Sequence, residues 1–252
     1  MEFRIFGPLA VESENGRRLS IPASRQRTLL ATLIINANRV VSVDQIAEFV
    51  WDGVIPPSAT ATVRTYVMRL RHLLGPECAA RIVTRSPGYL IELGDEESDI
   101  GQFRAHRANA ATMVRVNDLH GASDELRSAL SLWRDDPLMD VFSSTLRDVE
   151  IPHLKELRMQ TTEALIDLDL QHGRHAELIP ELVKMVRIDP LREGLAGRLM
   201  TALSRSGRRF EALEVFQQTR KELVDQLGIE PGAELRRIQH LVLNADEVPH
   251  AS

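Results

Sequence analysis

One cysteine, Cys78, in 252 residues leaves an internal disulfide without a second partner, which excludes a cystine-braced fold and suits a reducing compartment. No run of about 18 apolar residues occurs, so a membrane-spanning helix is not expected. The opening MEFRIFGPLAVE lacks the cationic start and small-residue cleavage site of an export signal, so a cytoplasmic protein is expected. Lysine is confined to Lys155, Lys184 and Lys221, and arginine therefore carries most of the positive charge. Sites for chemistry are missing too. There is no G-x-x-x-x-G-K-S/T phosphate loop, no H-E-x-x-H, no G-x-S-x-G and no cysteine spacing suited to zinc. His172 and His175 near Asp169 are interrupted by Gly173 and read as turn residues. Neither an enzyme, nor a cofactor, nor a metal centre is expected.

What is present is enough for two modest domains, 43% hydrophobic and 27% charged. The net charge of −5 conceals an asymmetry. Residues 1–95 carry 11 Arg and 9 acids, a net of +2, and the remainder is net −7. Between 60 and 90 stand five arginines and a single acid, Glu77.

Those arginines gather on one stretch, PPSATATVRTYVMRLRHLLG, residues 56–75. Pro56-Pro57 and Ser58 signal a helix start, and Gly75-Pro76 a stop. Wound at about 100° per residue, the stretch collects Ala59, Val63, Tyr66, Val67, Leu70, Leu73 and Leu74 on one arc. Thr60, Ala61, Thr62, Arg64, Thr65, Met68, Arg69, Arg71 and His72 occupy the rest, with no acid among them. A solvated face normally mixes both signs; an acid-free basic face suits a helix pressed into a nucleic-acid groove. The alternative is an ordinary surface helix in an arginine-rich chain.

The flanking segments favour the groove. Glu2–Phe6, Leu9–Glu12 and Arg18–Ile21, with a turn at Asn15-Gly16, predict a small antiparallel sheet. Ser24 is placed to cap a helix from Arg25 to about Ala37. Ser42-Val43-Asp44-Gln45 opens a short helix through Trp51, and Arg81–Arg85 with Tyr89–Leu93 predict a hairpin around Ser86-Pro87-Gly88. Short helix, turn, basic helix and hairpin make a winged helix-turn-helix. On this geometry Arg64 and Arg69 suit guanine edges, Thr65 suits a thymine methyl or a hydroxyl contact, and Arg71 and His72 suit phosphates. Tyr89 is expected to pack the wing against the basic helix.

Beyond the acidic link at 94–98, strand signals end and helical periodicity takes over. Taking Gly121, Gly173 and Gly207 as turn origins aligns Leu126 and Leu130 with Leu178 and Leu182 and with Ala212 and Phe216. The last two glycines stand 34 residues apart, the tetratricopeptide period, and the longer first interval leaves room for an extra helix around 144–171. The expected fold class is α+β: a winged helix over residues 1–94, then an all-α tetratricopeptide-like domain over 99–245.

VSVDQIAEFVW, TVRTYVMRLRHLLG and IVTRSPGYLIEL together resemble the OmpR-type winged helix. ALSLWRDDPL, DPLRE, LMTALSRSGR and DQLGIEPG resemble the bacterial transcriptional activation domain. In that order they resemble the Streptomyces antibiotic regulatory protein family over nearly the whole chain. The resemblance implies an activator of secondary-metabolite (antibiotic) genes that binds direct repeats in double-stranded promoter DNA near the −35 region. It implies a side-by-side homodimer on DNA and contact with RNA polymerase, including its sigma factor. It also implies base-edge roles for Arg64, Thr65 and Arg69, positions beside phosphate for Met68 and Arg71, a phosphate contact from the Trp51 indole, and a minor-groove contact from Arg85. Arg64 and Met68 depart from the family pattern, where an acid and a base are usual, so the half-site cannot be transferred. A repressor, or a tetratricopeptide-like adaptor that binds protein, are the alternatives. A 1–95 fragment is expected to bind DNA without activating.

Overall fold

The computed structural model describes residues 1–13 and 16–244, and it divides into two compact units, 1–161 and 162–252. In the first unit β1 (Glu2–Arg4) pairs antiparallel with β2 (Ala10–Glu12), Phe3 opposite Val11. The expected third strand reduces to one bridge, Glu12 to Arg18, and Asn15 of the expected turn lies outside the described residues. α1 (Ser24–Ile35) follows, and its N-cap is Ala23 with no side-chain cap bond, so Ser24 does not serve as predicted. Ser42 does cap α2 (Val43–Trp51): its Oγ accepts from Gln45 N at 3.1 Å. β3 (Val41–Ser42) lies just before it.

α3 (Ala59–Arg81) buries Ala59, Val63, Val67, Leu70 and Leu74. The helix breaks at Gly75, whose φ of 78° and ψ of 170° suit a residue without Cβ, and a further helical stretch follows Pro76. The predicted stop therefore falls at a kink. Leu73, expected inside, is 39% exposed. Cys78 lies in that last helical stretch and is buried, which pushes its thiol pKa up to about 11.

The wing is β4 (Ile82–Arg85) paired with β5 (Gly88–Ile91), and β3 adds on the other edge of β5 in the order β3-β5-β4. Gly88 is required by close approach: a Cβ there would stand 1.8 Å from the carbonyl oxygen of Val41. Tyr89 is buried in the core, as expected.

The core of this unit continues past the wing. α4 (Asp99–Arg115) and α5 (Leu119–Ser131) pack as a helical hairpin, and Phe103, Ala129, Trp133, Leu138 and Leu154 join one apolar cluster with Phe3, Ile5, Phe6 and Leu33. The Trp133 indole stacks on Phe6 at 3.9 Å between ring centroids, and Phe103 meets both rings edge-on. Polar groups complete the joint. Asp99 accepts from Ile5 N at 2.8 Å and Phe6 N at 2.9 Å, and Arg134 reaches it at 3.2 Å. Leu138 N donates to Ile5 O and Gly7 O, holding Leu138 at a φ of 53° that is rare for a residue with a bulky side chain. Arg27 pairs with Asp140, which also accepts from Leu9 N. The sequence domains and the packing units thus divide the chain at different places.

α6 (Ser144–Gln171) is the long helix anticipated at 144–171. In the second unit α7 (His175–Ile188), α8 (Glu193–Arg205), α9 (Arg209–Leu227) and α10 (Ala233–Leu243) follow. Gly173 and Gly207, both at φ 78°, make the turns before α7 and α9, so the 34-residue repeat is real. Gly121 is not their counterpart. It sits inside α5 with its N–H on Asp118 Oδ1, and the turn belongs to Asn117 at φ 62°. Asparagine tolerates that conformation, which is why a glycine search misses it. Leu178, Leu182, Leu199, Leu203, Ala212 and Phe216 fill this unit's core.

Candidate nucleic-acid interface

The inward stripe of α3 decides what its other side presents. With Val63, Val67, Leu70 and Leu74 fixed in the core, Thr60, Arg64, Met68, Arg69 and His72 point to solvent and Thr65 is half-buried. Arg64, Arg69 and His72 make no hydrogen bond or ion pair among the described residues. Met68 is 63% exposed, a high value for an apolar side chain of that size. Thr65 Oγ1 donates to Ala61 O at 3.1 Å, so its donor is occupied within the helix and its methyl and acceptor capacity remain. A row of charge-bearing donors with no internal acceptor is what a polyanion requires.

Arg71 differs from its neighbours. Its Nε and Nη2 donate to Ile82 O at 3.1 and 2.6 Å, and Nη2 lies 3.1 Å from Thr84 Oγ1. Expected beside phosphate from the sequence, it braces α3 against the first wing strand in the structure. The signal that could have disclosed this is the carbonyl left free on β4, which only the hairpin's placement reveals. Arg85, at the tip of the wing and opposite Gly88 in the ladder, is exposed and unpaired among the described residues. Arg81, by contrast, is tied to Glu97.

Trp51 ends α2 half-buried, packed against the core edge. Its ring stacks on Tyr66 of α3, 6.1 Å between centroids and 20° apart in plane, and the Arg25 guanidinium lies 5.6 Å from its centroid. The turn that follows is pinned from α6. Asp52 adopts the left-handed conformation and its Oδ1 accepts from Thr145 N at 3.1 Å; Ser143 Oγ donates to Phe49 O at 2.7 Å. Burial would raise the Asp52 carboxyl, yet the Thr145 and Ser143 hydrogen bonds hold it below its ordinary value. α3 is thus approached from a fixed turn and braced along its far side by Arg71.

Among the described residues no group of three or more His, Cys, Asp or Glu is arranged to hold a metal ion, and no helix is long and apolar enough to cross a membrane. The family described as the bacterial transcriptional activator domain matches residues 98–243, and the transcriptional regulatory protein C-terminal family matches residues 19–91. This chain belongs to the Streptomyces antibiotic regulatory protein family.

Family members similar to it include the regulatory protein DnrI of Streptomyces peucetius, 35% identical over 98% of this chain and 93% of the relative. The regulatory protein AfsR of Streptomyces coelicolor is 37% identical over 98% of this chain, which spans 24% of AfsR. Among solved structures, Mycobacterium tuberculosis EmbR in complex with a low-affinity phosphopeptide superposes with a TM-score of 0.89 at 30% identity. That match covers 97% of this chain and 65% of the EmbR chain. The family is one of transcriptional regulators and not of enzymes, and the α+β class, a winged helix followed by a helical domain, is that of its members.

Proposed function

We propose that this regulator is a sequence-specific activator of secondary-metabolite (antibiotic) genes, acting in the cytoplasm on double-stranded promoter DNA. Residues 1–94 bind DNA and 99–245 form the activation domain, residue 245 lying outside the described residues. Two copies sit side by side on direct repeats near the −35 region and recruit RNA polymerase through its sigma factor. The observation that carries this reading is the pair Arg64 and Arg69, exposed on the face of α3 opposite its buried stripe and free of any carboxylate among the described residues.

An arginine fork matches guanine O6 and N7 with two hydrogen bonds, worth about 1–3 kcal/mol of discrimination. Arg64 and Arg69 read bases in this way, Thr65 offers its methyl to thymine, Thr60 lines the groove beside them, and Met68 lies beside phosphate. His72 and Trp51 meet phosphate, and Arg85 enters the neighbouring minor groove from the wing. Arg71 contributes by holding the wing against α3 at the spacing the two grooves demand. Footprinting on the promoters next to the protein's own gene, followed by run-off transcription with added polymerase, tests this. Protection of direct repeats with raised transcript supports activation; protection with lowered transcript makes the protein a repressor, and absence of protection removes the DNA-binding reading.

A further inference from the structure

Arg25 has a setting unlike that of most arginines in this chain. It stands exposed in the first turn of α1, a turn without acidic residues, and it makes no ion pair among the described residues. Two positions on, Arg27 is bound to Asp140. Among the described residues the Arg25 guanidinium is oriented by the face of the Trp51 ring at 5.6 Å, and Trp51 in turn stacks on Tyr66 of α3 at 6.1 Å. Stacking of this kind holds the guanidinium plane while leaving its N–H groups directed outward.

The ladder Tyr66–Trp51–Arg25 therefore links α3 to a cation that has no ion pair among the described residues. On the proposed reading the Trp51 indole meets phosphate, and the guanidinium over its ring stands beside that same strand. We propose that Arg25 is a DNA-backbone contact, held ready by Trp51, that fixes the lateral position of α3 over its bases. The proposal rests on the reading that α3 occupies the major groove.

Fluorescence anisotropy with the full chain, on a promoter duplex and on an unrelated duplex across a salt series, tests it. Arg25→Ala is expected to weaken both complexes by a similar factor, about 3- to 10-fold, and to lower the log–log salt slope by about 0.9, the value for one lost phosphate contact. Arg25→Lys keeps the charge and is expected to restore the slope. A merely structural Arg25 would lower the melting temperature and leave the slope unchanged. Arg64→Ala and Arg69→Ala, read in parallel, separate the two levels. If they lose base preference while Arg25→Ala binds with parental affinity and slope, the Arg25 assignment is overturned and the groove reading stands. If all three bind like the parent, the groove reading falls and this inference with it.

Discussion

Arginine does two different jobs in this molecule, and their balance differs between its parts. In the helical unit Arg174, Arg192, Arg198, Arg208, Arg220 and Arg237 each reach a carboxylate within 3.2 Å. On the winged helix, Arg25, Arg64, Arg69 and Arg85 reach none among the described residues. The same side chain is thus neutralised locally in one place and left to seek an anion in another. Pairing costs the helical unit little, because an exposed ion pair contributes weakly. Leaving a face unpaired has a use only where an external polyanion supplies the missing charge.

That contrast can be tested by truncation and substitution, and the greatest effect concerns the scaffold that holds the unpaired set. Because Phe3, Ile5 and Phe6 pack on Phe103 and Trp133, residues 1–94 alone would expose much of their core. A 1–94 fragment is expected to lack a cooperative melt and a 1–161 fragment to show one, which calorimetry can decide; the same pair of fragments tests whether 1–95 binds DNA unaided. Next in size, Trp133→Ala should destabilise the first unit by about 3–5 kcal/mol, as for other large aromatic truncations. Its effect on DNA affinity should appear only where the unit melts.

A pH dependence follows at somewhat smaller scale. Burial pushes the Asp99 carboxyl up to about 6, against the pull of the Phe6 and Ile5 N–H groups and of Arg134. Between its ordinary value near 4 and about 6 the folded state then holds more protons than the unfolded state. Stability from this residue therefore falls as pH rises through that window, by on the order of 2–3 kcal/mol, and is flat above it. Chemical denaturation of the parent and of Asp99→Asn from pH 4 to 7 checks the sign: the variant should lose the slope.

The smallest effects belong to the paired arginines. Arg198 bridges Asp167 and Glu163 while four-fifths buried, and Arg198→Ala should cost about 1 kcal/mol with DNA binding intact. Arg237→Ala, at an exposed pair with Glu234, should leave the thermal midpoint unmoved. Loss of promoter binding in either variant would erase the distinction between the two sets.

Much of this was legible in the order of residues. Apolar positions at helical spacing identified the buried side of α3, and so by subtraction Arg64, Met68, Arg69 and His72 outside. The Gly173–Gly207 interval and the long α6 were equally plain, since turns and periodicity are local signals. What escaped was non-local. Nothing within a few residues of Phe6 announces that it will stack on Trp133, nor does the neighbourhood of Arg71 disclose the Ile82 carbonyl that takes up its guanidinium. The Trp51–Arg25 contact is of the same kind: two residues on different helices, each ordinary alone.

The unpaired face of α3 is tested most directly by scanning a promoter half-site base pair by base pair. Equilibrium affinities of the parent, Arg64→Ala and Arg69→Ala would be measured against every single substitution. Each variant is predicted to become indifferent at one or two positions where the parent discriminates by about 1–3 kcal/mol, with its other preferences intact. Profiles that keep the parent's preference at every position would contradict the placement of these arginines against DNA bases.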